Sequence, residues 1–202
     1  MSNYFYRTRM HQLVTEELID GIIGKYHYNE SDRALLVGVS RDLISCIRHS
    51  ECLEIVISDD ATYADAAVTL GQSADALITR YEKEGKVLNQ LMIDNLCQEL
   101  LAKGYLFLIE RVCERLEGRS VSAMHFWGGE EGYPIEGLKK VAGVFRHIMI
   151  NVTDECYIIP SKSIICRVET VEADANGEDV CTDWCSNCSM RGKGSCRYGN
   201  GK

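Results

Sequence analysis

Four cysteines near the C-terminus, Cys181, Cys185, Cys188 and Cys196, are separated by three, two and seven residues. Thiolates two or three residues apart converge on one ion because a turn brings their sulfurs to the same side. Four sulfurs then complete a tetrahedral zinc site or hold an iron–sulfur cluster. The three closely spaced ligands are nearer to a cluster-binding run than to a zinc ribbon, which carries two C-x2-C pairs. Gly192 and Gly194 let the segment fold back so that Cys196 reaches the others. From Trp184 onward the chain carries Arg191, Lys193, Arg197 and Lys202 and no acid, a charge that offsets a thiolate cluster and lowers thiol pKa values. A regulatory disulfide and an inert tail are the alternatives for the same residues. The other cysteines, Cys46, Cys52, Cys97, Cys113, Cys156 and Cys166, lie in apolar periodic segments and are expected to be small core hydrophobes, with Cys166, which follows the proline turn, marked as the first candidate exception.

Two further stretches have compositions suited to binding. In "HFWGGEEGYPIEG", His125 to Gly137, a strand end runs into two glycines, two acids, a third glycine and then Tyr-Pro. Glycines allow close approach of backbone to a ligand. Glu130 and Glu131 can face a cation, and the free N–H groups of a helix after Pro134 can face an anion. The same residues also make a plain strand-to-helix turn with solvated glutamates. In "IIPSKSII", Ile158 to Ile165, Pro160 marks a second defined bend, followed by Lys162 and Ser163. Lys162 can contact a carboxylate or phosphate, although a lysine in a turn is ordinarily just solvated. The two prolines of the chain, Pro134 and Pro160, fall one in each stretch.

The elements that must position these stretches can be read from periodicity. The chain has 202 residues, 46% of them hydrophobic, and a formal charge of −8. That is enough apolar material for a core, and the charge argues against a nucleic-acid partner. No run approaches the ~18 apolar residues of a membrane span. The opening "MSNYFYRTRMHQ" lacks the apolar core of a signal peptide, so the cytoplasm is the expected location. Leu13, Leu18, Ile22 and Ile23 share a helical stripe, and Ser31 is placed to cap a second helix, so residues 1–50 read as a helical N-terminal part. "CLEIVIS" (52–58) and "AVTLG" (67–71) read as strands with a loop between them. A helix capped by Ser73 or Asp75 stops at Gly85, and helical spacing resumes from Lys86 to Gly118, interrupted by Gly104. A strand over 120–127, a helix over 134–149 and two short strands within 155–172 follow. Strands and helices mix without a βαβ rhythm, which predicts an α+β fold with a largely antiparallel sheet. The expected division is a domain over 1–172 and an acidic linker with a Cys-rich tail over 173–202.

The order Gly132-Tyr133-Pro134, helix, then "NVTDECYIIPSKSI" (151–164) resembles the activation domain of vitamin B12-dependent methionine synthase, and more closely its short stand-alone bacterial versions. "AVTLG" (67–71), the long helical segment after it and the terminal Cys196-Arg197-Tyr198 are similar to the same family, over roughly residues 50–200. The resemblance implies a domain that binds S-adenosylmethionine and sets its methyl group above the cobalt of a corrinoid. There an electron and the methyl group together restore methylcobalamin, with the protein supplying orientation. It places Gly132, Tyr133 and Pro134 at the cofactor face. The family's loop carries Arg-x-x-x-Gly-Tyr, whose arginine can fork onto a ligand carboxylate. Gly128 occupies that position here, and His125 is the nearest basic residue. The family's Ser-Val-Ser-Gly is replaced by Ser163-Ile164-Ile165-Cys166.

A chain of this length holds no cobalamin, folate or homocysteine module, so the expected role is that of an accessory protein. It would act in trans on a corrinoid-binding protein or methyltransferase, with the cysteine tail or a separate electron donor supplying the electron. Cobalamin would be met only through that partner. The competing readings are a non-catalytic binding or sensor module with a structural zinc, and a small redox protein that carries an iron–sulfur centre.

Overall fold

The computed structural model describes residues 1–116, 118–128 and 131–172. Glu130, the linker from 173 onward and the expected zinc or cluster ligands Cys181, Cys185, Cys188 and Cys196 lie outside the described residues. The fold is α+β, with every ladder of its five-stranded sheet antiparallel.

The chain opens on a strand, β1 (Ser2–Arg7), which corrects the expectation of a wholly helical start. Alternation explains it: Tyr4 and Tyr6 pack against the core while Phe5 points outward, the period of a half-buried strand. The first helical stripe is divided. A short 3-10 turn (Met10–Leu13) precedes α1 (Glu16–Lys25), because the Thr15 hydroxyl caps α1 by accepting from Leu18 N at 3.3 Å. Leu13 is therefore exposed, whereas Ile19, Ile22 and Ile23 are buried. Helix α2 (Arg33–Ile47) is entered through reciprocal capping by Asn29 and Asp32 rather than by Ser31.

Strands β2 (Cys52–Ile57) and β3 (Tyr63–Thr69) form a hairpin, so β3 begins inside the stretch read as a loop. The turn is built on Asp60, which accepts from Ser58 Oγ at 2.7 Å and Thr62 N at 3.1 Å. These bonds hold its carboxyl down to about 2. Next come α3 (Gln72–Lys83) and α4 (Val87–Arg115), the latter a single 29-residue helix. Gly104 does not break it. Instead it lets β3 and the N-terminal turn approach, since a Cβ there would lie 3.1 Å from Val68 Cγ2 and closer still to Met10 Sδ.

After β4 (Arg119–His125), helix α5 covers only Gly137–Ala142, shorter than the expected 134–149. The cause is Glu54, fully buried on β2, whose carboxylate accepts from the backbone N–H groups of Arg146, His147 and Ile148 at 2.8, 2.9 and 2.7 Å. Those donors are turned toward the sheet and are lost to a helix. Asn3 Nδ2 donates to the same carboxylate at 2.6 Å. The chain then forms β5 (Asn151–Val152) and β6 (Ile158–Ile159), a small ladder of their own, and ends on β7 (Ser163–Glu172).

The strand order is β1-β2-β3-β7-β4. In β3 and β7, Ala66, Val68, Cys166 and Val168 join the core beneath the helices, whereas Ala67 and Ile165 join a second core with Leu138, Val141, Ala142, Ile148 and Val152. Adjacent residues of a strand point to opposite faces. The long helices therefore cover one face, and α5 with the 143–152 segment covers part of the other. Burial pushes the Cys97 thiol up to about 12, as expected for an inert core cysteine, and it pushes the Cys166 thiol upward as well, so Cys166 is a buried core residue and not the exception its place after the proline turn suggested. Cys46, Cys52 and Cys156 are free but only half-buried, and Cys113 is disulfide-bonded, which corrects its expected role as a small core hydrophobe. Among the described residues no helix is long and apolar enough to cross a membrane.

Candidate functional site

The second face of the sheet is apolar beneath α5 and polar beside it. The polar part is built by residues alternating along three strands: Tyr63 and Asp65 on β3, Arg167 and Glu169 on β7, and His125 at the end of β4. Register sets Arg167 beside both Asp65 and His125, and Glu169 beside Tyr63. Arg167 donates through Nε and Nη2 to the buried carboxylate of Asp65 at 2.7 and 2.9 Å. Its guanidinium carbon lies 4.0 Å from the Tyr63 ring centre and 5.9 Å from that of Trp127. The Asp65 carboxylate raises the Arg167 pKa, so this cation is permanent.

The loop after β4 folds back over this surface. Gly128 adopts φ 87° and donates its N–H to Tyr133 O at 2.8 Å, closing a bend. Gly132 adopts φ 92° with open space where a Cβ would stand. The bend lays Tyr133 flat on His125, with centroids 4.2 Å apart and planes 7° from parallel. Trp127 meets Tyr133 edge-on at 5.8 Å and 80°. The Tyr133 hydroxyl donates to Glu169 Oε1 at 2.7 Å, and His125 Nε2 lies 3.5 Å from the same oxygen. Behind the loop, Trp127 packs so closely on α5 that a Cβ at Gly137 would lie 2.9 Å from its indole.

Of the expected site residues, His125, Gly128, Gly132 and Tyr133 are thus gathered in one bend, with Glu131 and Pro134 exposed on its rim. Gly128 stands where the family resemblance would place an arginine. Its environment rejects a side chain, because a Cβ would lie 2.8 Å from Ile135 Cδ1.

Pro160, Lys162 and Ser163 form a different bend, at the start of β7, four residues before Arg167. The peptide bond before Pro160 is cis, and Pro160 itself is buried. Ser161 donates through its N–H and hydroxyl to Asp75 at 2.7 and 2.8 Å. Lys162 is paired with Asp94 of α4, and its carbonyl accepts from Leu70 N at 3.0 Å. Ser163 shares a hydrogen bond of 2.7 Å with Thr69. Asp75, expected as a helix cap, is spent on this bend, and Lys162 faces a helix carboxylate. Trp127 of the first bend and Ile158 of the second both pack against the second core.

Tyr63, Asp65, Trp127, Arg167 and Glu169 were not singled out by sequence reasoning. A signal is present in "CRVETVE", where Arg167 and Glu169 occupy alternate positions of a strand, separated by the apolar Val168, and must share a face. The arrangement offers stacking surfaces, a carboxylate and a guanidinium committed to Asp65, all of which suit binding and orientation. No protein-family model matches the chain, and no curated protein matches it.

Proposed function

We propose that the protein is an accessory factor acting in trans on a corrinoid methyltransferase system, binding S-adenosylmethionine, the corrinoid protein or both at the bend over His125–Pro134. The observation that carries this reading is Tyr133, lying stacked on His125 with its hydroxyl tied to Glu169. An aromatic ring held in one orientation beside two glycines suits a flat ligand approaching the backbone. The antiparallel α+β architecture agrees with the activation-domain resemblance of the loop and of the later proline bend.

S-adenosylmethionine fits this site in part. When bound it supplies a methyl group. Tyr133 and Trp127 offer aromatic faces to its adenine and sulfonium. Its own carboxylate meets no arginine from the loop, because Gly128 has none and Arg167 is committed to Asp65. Binding of the nucleoside portion therefore outweighs binding of the amino-acid portion. Zinc or an iron–sulfur cluster on the tail cysteines and a cytoplasmic setting remain parts of the same proposal for the chain with its Cys113 disulfide reduced.

Calorimetry with S-adenosylmethionine, and with a cob(II)alamin-loaded corrinoid protein, tests the reading. Tyr133→Ala is expected to weaken binding at least about tenfold, the scale of a lost aromatic contact with its hydrogen bond. The wild-type chain binding neither ligand overturns the reading. Metal analysis and a visible spectrum of protein prepared without oxygen test the tail independently.

A further inference from the structure

We propose that Glu169 is a positioning residue: it orients Tyr133, so the loop's aromatic face is set from β7 rather than by the loop itself. The inference rests on the functional reading above only for what Tyr133 is oriented toward. Within the bend, the Gly128 N–H holds the Tyr133 carbonyl at 2.8 Å, and that bond fixes the backbone but not the direction in which the phenol points. Glu169 is anchored far better. Its backbone is laddered to Tyr63 on one side and Ala123 on the other, in a strand lying between two others.

One oxygen of its carboxylate accepts from the Tyr133 hydroxyl at 2.7 Å and lies 3.5 Å from His125 Nε2. That fixes the phenol laterally while the imidazole supports it from below, at 4.2 Å between ring centres. Arg167, two residues earlier on the same face, would compete for this carboxylate. It is diverted by its bidentate pairing with Asp65 at 2.7 and 2.9 Å. Asp65 therefore leaves Glu169 available to Tyr133. The side chain of Glu169 is 45% exposed, so its substitution leaves no buried cavity.

The test compares Glu169→Ala with Glu169→Gln in the full chain. Gln keeps an oxygen that accepts from the phenol. Two readouts are taken: the ring-current shift that Tyr133 imposes on the His125 ring protons by NMR without ligand, and S-adenosylmethionine affinity by calorimetry. Glu169→Ala is expected to abolish the shift and weaken affinity about tenfold, with Glu169→Gln restoring most of both. A shift that persists in Glu169→Ala, or a Gln variant as impaired as the Ala variant, overturns the proposal. A wild-type chain that binds no S-adenosylmethionine while Glu169→Ala still loses the shift removes the functional reading and leaves the positioning role standing. Should Glu169→Ala fail to fold, Tyr133→Phe deletes the same hydrogen bond and keeps the ring. Loss of the His125 shift then supports the role and its retention refutes it.

Discussion

Gly128 shows how much a single position decides. Its φ of 87° strains any residue with a side chain, and a Cβ there would lie 2.8 Å from Ile135 Cδ1, so that Ile135 would also have to shift. Gly128→Arg is therefore expected to destabilise the fold by about 1–3 kcal/mol, read from a urea midpoint, and not to create a carboxylate fork. Glu54 is decisive in another way. Burial pushes its carboxyl up, but three backbone N–H groups and Asn3 outweigh that and hold it below its ordinary value of 4.5. Its folded pKa is lower than its unfolded one, so its contribution is present above that ordinary value and lost as pH falls through the lowered one. Glu54→Gln is expected to cost about 2–3 kcal/mol near neutral pH and to flatten the acid limb of the stability curve. Thermal melts of both proteins from neutral pH downward check this. Glu51, buried beside His11, works in the opposite sense. Burial pushes its pKa up, so the stability it contributes falls as pH rises through that raised value.

At the scale of elements, α4 owes its place to Gly104. Alanine is intrinsically better than glycine inside a helix by about 1 kcal/mol, yet a larger side chain here meets Met10 and Val68. Gly104→Val is expected to lose about 1–3 kcal/mol by overpacking, seen as a lower melting temperature with helix content retained by circular dichroism. Strands and long helices were legible because their periods show directly in the sequence. The helix over 134–149 was overread because its interruption comes from Glu54, some 92 residues away in sequence, and local spacing carries no trace of such a partner. β1 carries no such signal, because Tyr4-Phe5-Tyr6 is an unbroken aromatic run between Ser2-Asn3 and Arg7, and no apolar–polar alternation marks it as a half-buried strand. The candidate site divides similarly. Its glycines, Tyr133 and His125 could be picked from one contiguous run, but Glu169 and Asp65 enter only through strand pairing.

For the whole molecule, both cores draw on residues between Met10 and Val168. With the Cys113 disulfide reduced, a chain ending at residue 172 is accordingly expected to melt as one cooperative unit near the temperature of the full chain, and differential scanning calorimetry in a thiol reductant decides it. The two faces of the sheet divide the labour. One is sealed by long helices and supplies most of the burial; the other keeps charged and aromatic side chains within reach of the Gly128–Pro134 bend.

Because β7 lies between β3 and β4, the last strand of the sheet to leave a ribosome is also a central one. Until it is synthesised, β4 has no neighbour, and β3 offers a bare edge for about 100 codons of elongation, a wait that bears on aggregation far more than on final stability. Slow translation or early termination would thus leave a nascent product with adhesive backbone.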